Sequence, residues 1–368
     1  MYGNNFPPPM TPRQQPQPSP QRQFLSPNEY WAQKQQAMRN EKKALSKSAT
    51  KAALLLILYN IMNLVSARIF YIIVYSVVSK SPTISLQVAV EKLKSDYADL
   101  IAGTAFRMSA MLFTVLLSTL VVFITGQFLL KADLVSWFRP SKKNVAEGFK
   151  WAPSCITVNL IVSVFAALIV DMLSSGGVNV PKADFTIKTP TTLGLTMQFL
   201  YVCVAGPFAE EFIYRGVILR LLSPYGKGLA VFVSALFFGV MHGNLSQTVP
   251  TFIGGMLFAA VAVSCDSLIP TLIIHICNNV IASINDFGTA MNKDFSNIYL
   301  GAAILMMIIG FYVMLVFIND LSESISKNQQ YALSAGKRTS TVFVNVAMII
   351  YIGIFLVYPY IESFIQAN

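Results

Sequence analysis

Apolar residues are gathered into long stretches along this chain, and short polar segments separate them. Most stretches reach the roughly 20 residues that a helix needs to span a hydrocarbon core of about 30 Å. The pattern therefore predicts an all-α fold, a polytopic transmembrane helix bundle of about eight to nine spans. The number of spans is given as a range because the sixth stretch is short and its boundaries with the fifth and seventh stretches are poorly marked. The nine stretches cover residues 52–78, 101–130, 149–173, 192–222, 228–246, 249–265, 268–287, 298–319 and 341–361.

The composition agrees with membrane insertion and argues against a soluble domain. Hydrophobic residues make up 54% of the chain and charged residues 12%, whereas about a quarter of the residues in a typical soluble domain are charged. The formal net charge of +10 does not favour nucleic-acid binding, because the excess cations flank the apolar stretches. We therefore expect the lipid bilayer as a partner and no nucleic acid.

The first part of the chain differs in composition from the rest. Residues 1–30 hold eight of the 18 prolines, together with many Gln and Ser, which is typical of disorder. Six Lys and Arg residues follow between positions 34 and 51. We predict a disordered, Pro/Gln-rich and basic cytoplasmic tail over 1–48, with no signal peptide, and a membrane domain over 49–368.

The distribution of positive charge predicts an orientation in the cell membrane. With nine spans and the N-terminus inside, 19 Lys and Arg residues fall on the cytoplasmic side and six on the other side. Cytoplasmic loops normally carry this excess. The chain is therefore predicted to be a multi-pass cell-membrane protein with a cytoplasmic N-terminus and an extracytoplasmic C-terminus.

Two adjacent carboxylates, Glu210 and Glu211, lie inside the apolar stretch 192–222. Glu211 and Arg215 are four residues apart, so on a helix they share a face and can form an ion pair. Glu210 lies about 100° further round the helix and has no obvious partner, which suits a general base. The alternative is that both glutamates are structural and pair with Arg215 and Arg220.

The only two histidines also lie in apolar stretches. Ionisable side chains are costly in a membrane and usually functional there. His242 follows Phe238 by four residues, and His275 precedes Asn279 by four, so each pair shares a helix face. His275 and Asn279 could together hold a developing oxyanion. Alternatively, Glu210, His242 and His275 could bind a zinc ion, the one cofactor that the sequence raises.

Three motifs in this order, E-E-x-x-x-R, F-x-x-x-H and H-x-x-x-N, resemble those of the CPBP group of intramembrane proteases. This group includes the CAAX prenyl endopeptidases and bacterial bacteriocin-processing and immunity relatives. The resemblance covers about residues 190–290 and uses both histidines. It implies a protease core of three helices that carry the catalytic residues.

The resemblance also implies a role for each motif residue. Glu210 and His242 would activate a water molecule, and His275 with Asn279 would stabilise the oxyanion. Glu211, Arg215 and Phe238 would support the site. The group is often labelled metalloprotease, although a metal-free glutamate mechanism is argued for it.

The favoured function is an intramembrane endopeptidase acting on a membrane-associated peptide or membrane-protein substrate. Nothing in the sequence indicates a prenyl group on that substrate. One alternative is a non-catalytic bacteriocin self-immunity or scaffold protein that keeps the fold. Another is an ion-coupled transporter in which the buried Glu and His residues relay protons, although no repeated halves of the usual transporter kind are visible.

Overall fold

The computed structural model describes residues 26–83, 85–131, 133–178, 180, 190–326 and 330–357, together with 361, 362 and 365. Within these residues the secondary structure is helical and contains no strand. The predicted all-α helix bundle is confirmed.

We number the helices in chain order, with one short 3₁₀ turn at Leu134–Phe138 left unnumbered. Their bounds are α1 Pro27–Val78, α2 Leu86–Asp96, α3 Ala98–Ala102, α4 Thr104–Leu130, α5 Lys142–Ser175, α6 Thr192–Tyr225, α7 Lys227–Val240, α8 Leu245–Cys265, α9 Ile269–Ala282, α10 Ile284–Ala290, α11 Ser296–Ser326, α12 Ala335–Phe343 and α13 Val346–Val357.

Six of the described helices, α1, α4, α5, α6, α8 and α11, are long and apolar enough to cross a membrane. Helices α12 and α13 add a seventh span if the pair, which is bent by 59°, crosses as one. All nine predicted stretches coincide with helices, but α7 and α9 have only 14 residues each. Such a helix is about 21 Å long, shorter than the hydrocarbon core. Helix α7 ends early because the chain turns at Gly243, with φ of 70°, before Asn244 caps α8.

The predicted disordered tail is partly wrong, because helix α1 begins at Pro27 and makes residues 27–48 helical. Ser26 and Glu29 form a capping box at its start. The Ala, Gln, Lys and Glu residues that follow are good helix formers, and the proline-rich composition ends at Pro27. Leu45 is fully buried, so this end of α1 packs against the bundle. Residues 1–25 of the predicted tail lie outside the described residues.

The N-terminal half of α1 is also tied to the segments just before and just after α12. Glu41 Oε2 accepts hydrogen bonds from the backbone amides of Ala332 and Leu333, at 2.6 and 3.1 Å. Asn345 donates from Nδ2 to the Ser46 carbonyl oxygen at 3.1 Å. These contacts make the helical segment part of the folded domain.

Helix α6 occupies a central place in the bundle, where it contacts α1, α4, α7 and α9. Fully buried side chains such as Leu56, Ile213 and Val233 join α1, α6 and α7 in the largest apolar cluster. On the other side, α5 packs against α8, α9 and α11. This packing brings the motif-bearing helices α6, α7 and α9 to one place, with α8 beside them.

Candidate active site

Helix α6 carries both glutamates and is not a uniform α-helix. Two of its segments, Leu200–Ala205 and Glu211–Leu219, have π-helical turns. In such turns the hydrogen bond runs from the amide of residue i+5 to the carbonyl of residue i, and these rare turns are frequently found at functional sites. The intervening segment Gly206–Glu210 is α-helical. The two glutamates therefore lie at a change of helical pitch, which sets the directions of their side chains.

Glu211 and Arg215 form a fully buried ion pair. Arg215 Nη1 donates to Glu211 Oε1 at 3.0 Å, so the pairing predicted from the four-residue spacing is confirmed. The same oxygen lies 2.9 Å from His275 Nδ1. Arg215 Nη2 donates to the Gly255 carbonyl oxygen at 3.4 Å. The pair is thereby joined to α9 and to α8.

Two aromatic rings enclose the charged groups. The Arg215 guanidinium carbon lies 4.2 Å from the centre of the Phe238 ring and 5.2 Å from that of Phe258. The His275 ring meets the same two rings edge to face, with centroids 5.7 and 5.5 Å apart. Aromatic faces attract cations. Phe238 and Phe258 therefore stabilise the Arg215 cation and pack against the His275 ring.

Glu210 is the accessible carboxylate of the two, with 22% of its side chain exposed, and its Oε2 lies 3.4 Å from His275 Nε2. The expectation that Glu210 has no partner is therefore wrong, because the packing of α9 against α6 brings His275 beside it. The alternative pairing with Arg220 is also wrong, since Arg220 binds Asp266 at 2.9 Å.

His275 lies between the two carboxylates, with Nδ1 facing Glu211 and Nε2 facing Glu210. A carboxylate can only accept, so Nδ1 carries a hydrogen and donates it to Glu211. The buried Glu211 therefore fixes the orientation of the His275 ring, with Nε2 directed toward Glu210.

His242 is oriented by its own helix. Its Nδ1 lies 2.9 Å from the Phe238 carbonyl oxygen. This oxygen can only accept, so Nδ1 carries a hydrogen, and in the neutral form of the ring Nε2 has the lone pair. The two rings stand edge to face with centroids 5.3 Å apart. Within the described residues, no hydrogen bond or ion pair links His242 to Glu210 or Glu211. The predicted pairing of Glu210 with His242 is thus not a direct contact here.

Asn279 lies one turn beyond His275 on α9, as the spacing predicts. Its Nδ2 donates to the Val202 carbonyl oxygen at 2.8 Å, and its Oδ1 accepts from Asn278 Nδ2 at 3.1 Å. One amide hydrogen of Asn279 is therefore used inside the protein. The second hydrogen has no acceptor in the part of the chain that the structure describes.

The residues named for a zinc ion do not form a metal site. In the described ranges, no group of three or more His, Cys, Asp or Glu side chains is placed to hold a metal. Glu210 and His275 are neighbours, whereas His242 packs edge to face with Phe238 and has no hydrogen bond or ion pair to Glu210 within the described residues. This donor set does not fit the tetrahedral coordination that zinc prefers.

Four further residues at the site were missed in the sequence. Phe258 and Gly255 are ordinary members of an apolar helix, so nothing in the pattern marked them. Asn278 and Asn159 are amides within apolar stretches, and such residues usually bond to a neighbouring helix. That signal was available in the sequence for both.

Comparison with known proteins gives a match to the region that contains the motif residues. Residues 192–281 match the family model Rce1-like, described as type II CAAX prenyl endopeptidase Rce1-like. The resemblance to the CPBP group is confirmed. The Rce1-like region covers about a quarter of the chain and contains all seven motif residues. Neither the curated proteins nor the solved structures gave a match.

Proposed function

We propose that this protein is an intramembrane endopeptidase that hydrolyses a membrane-associated peptide or protein. One observation carries the proposal. The accessible Glu210 carboxylate lies 3.4 Å from an imidazole, His275, which the buried Glu211 holds in place. A reactive group, a proton-sharing partner and a residue that orients this partner are the parts that acid–base catalysis requires.

The reaction begins with a water molecule beside Glu210. Glu210 takes one proton from this water as the oxygen attacks the peptide carbonyl carbon, and the His242 Nε2 lone pair can accept the other hydrogen in a hydrogen bond. The carbonyl oxygen becomes an oxyanion, which His275 Nε2–H and the second Asn279 N–H stabilise. Glu210 then gives its proton to the leaving nitrogen as the C–N bond breaks. The products are a new carboxyl end and a new amine.

Glu211 and Arg215 take no proton in this scheme. Their role is to keep the His275 ring fixed with its Nε2 toward Glu210, which Glu211 does through the bond to Nδ1. Preorganised groups of this kind stabilise a transition state without having to move during the reaction.

A substrate panel tests the proposal. The purified protein in lipid vesicles would be given three fluorogenic peptides, one with a farnesylated cysteine near its carboxyl end, one identical but without the lipid, and one transmembrane peptide. Cleavage of any member at one defined bond supports the endopeptidase. The farnesylated peptide tests a prenylated substrate, the class that the description of the matched family names. Absence of cleavage of all three would contradict the proposal, and proton-coupled uptake in the same vesicles would favour a transporter.

A further inference from the structure

A chain of side-chain amides runs through the protein from α5 to α6. Asn159 on α5 donates from Nδ2 to Asn278 Oδ1 at 2.9 Å, and Asn278 donates from Nδ2 to Asn279 Oδ1 at 3.1 Å. Asn279 in turn donates from Nδ2 to the Val202 carbonyl oxygen at 2.8 Å. Each amide donates to the next one, so the chain has a single direction.

The Val202 carbonyl is available because of Gly206-Pro207. A helical carbonyl normally accepts from the amide four residues on, or five residues on in a π turn. The amide of Gly206 donates to the Tyr201 carbonyl instead, and Pro207 has no N–H. Neither amide therefore reaches Val202, and Asn279 supplies the missing donor.

The Val202 carbonyl fixes the donor-to-acceptor direction of all the hydrogen bonds in this series of amides. A carboxamide can turn by 180° and exchange its oxygen and nitrogen with little change in shape. The Val202 carbonyl only accepts, so it holds the Asn279 nitrogen toward α6 and the Asn279 oxygen toward Asn278. Asn278 must then present its nitrogen to Asn279 and its oxygen to Asn159.

The far end of the chain has a buried oxygen without a partner. Asn159 Oδ1 has no donor within the described residues, and it lies against Gly254 so closely that an added Cβ there would collide with it. Buried acceptors are rarely left unpaired. The arrangement is explained if the Asn159 nitrogen is required on the Asn278 side.

We propose that Asn278 and Asn159 are positioning residues, which hold the Asn279 amide so that its second N–H points to the developing oxyanion. This inference rests on the proposed endopeptidase and adds two residues to its machinery. Neither residue touches substrate; both act through the orientation of Asn279. Pro207 contributes by leaving the Val202 carbonyl free.

The test replaces a donor without changing shape. Asn278→Asp keeps the acceptor for Asn159 but presents an oxygen to Asn279 Oδ1. Asn279 then keeps its bond to the Val202 carbonyl and loses the second bond that holds the plane of its amide. With the panel peptide that the parental protein cleaves fastest, kcat is expected to fall about 10- to 100-fold, the effect of a small misplacement at a reacting centre. KM is expected to change less than about twofold, because ground-state binding does not use this amide. Asn159→Asp, one step further away, should reduce kcat by a smaller factor.

A double-mutant cycle separates positioning from general damage. If Asn278 acts only through Asn279, adding Asn278→Asp to Asn279→Ala causes no further loss of kcat. Cys277→Ala is the matched control, since this neighbour on α9 packs against the apolar cluster around Cys155 and Ile274. It should keep the parental kcat, and all variants should keep the parental thermal midpoint.

The outcomes are distinguishable from those of the proposed function. A cleaving parental protein in which Asn278→Asp and Asn159→Asp keep the parental kcat would overturn the inference alone. Multiplicative losses in the cycle, or a loss of kcat that follows a lowered thermal midpoint, would do the same. A parental protein that cleaves no panel member would overturn the proposed function and this inference with it.

Discussion

Removal of the Arg215 charge should destabilise the protein while leaving its shape nearly unchanged. Arg215→Met keeps most of the aliphatic stem and leaves the Glu211 carboxylate, which is fully buried, without its cation. Removing one partner of a buried pair typically costs about 3–5 kcal/mol, because the other charge stays uncompensated. The loss of the guanidinium contact with Phe238, at 4.2 Å, acts in the same direction.

The magnitude translates into a measurable shift. At roughly 2 °C per kcal/mol for a chain of this size, the thermal midpoint should fall by about 6–10 °C. Unfolding of the purified protein in detergent, followed by tryptophan fluorescence, measures this. Arg220→Met is the matched control, because its partner Asp266 has 89% of its side chain exposed. An exposed pair contributes only about 0–1 kcal/mol.

A second variant also removes the Glu211 charge that Arg215→Met leaves unpaired. In the combination of Arg215→Met with Glu211→Gln no buried carboxylate is left unpaired, so the double variant should unfold at a higher temperature than Arg215→Met alone. The reasoning is refuted if the double variant is the less stable of the two, or if Arg215→Met unfolds at the parental temperature. Activity should be lost in both variants. In Arg215→Met the Glu211 carboxylate that holds His275 loses the cation that fixes it, and in the double variant that carboxylate itself is replaced.

Two further predictions concern the N-terminal segment and the metal. Deleting residues 1–25 should leave the folded yield and cleavage unchanged, because α1 begins at Pro27; deleting 1–48 should lower the folded yield, because Leu45 is buried in the bundle, and detergent-solution chromatography measures both. Cleavage should also be insensitive to a chelator, because the donor set does not fit a metal; one stoichiometric zinc found by elemental analysis and lost in His242→Ala would contradict this.

The sequence predicted those parts of the site that depend on one helix. Glu211 and Arg215, like His275 and Asn279, share a face because the helical repeat requires it. The contact between Glu210 and His275 could not be predicted in this way, since it depends on how α9 packs against α6. The His242 position shows the same limit: its own helix fixes the ring, but its distance from Glu210 depends on where α7 ends.

The prediction of disorder over residues 27–48 was wrong for a different reason. Proline content over residues 1–30 was extended to residue 48, although Pro27 stands at the first position of α1, where proline is favoured. The predicted stretch 228–246 was longer than the helix that forms there, because hydropathy does not detect the turn at Gly243 and α7 ends at Val240. In both cases a single backbone feature, a helix start or a left-handed turn, determined where a helix begins or ends. The average composition of a stretch of sequence does not reveal such a feature.

The central claim is that Glu210 is the general base of a peptide-bond hydrolysis. Its most direct test is the initial rate of cleavage in vesicles by Glu210→Gln, which keeps the shape of the side chain and removes the base. The rate should fall at least ~10²-fold with an unchanged thermal midpoint. Glu147→Gln, which removes a carboxylate that pairs with Lys150 on α5, should cleave at the parental rate. A Glu210→Gln protein that cleaves as fast as the parental protein would contradict the account.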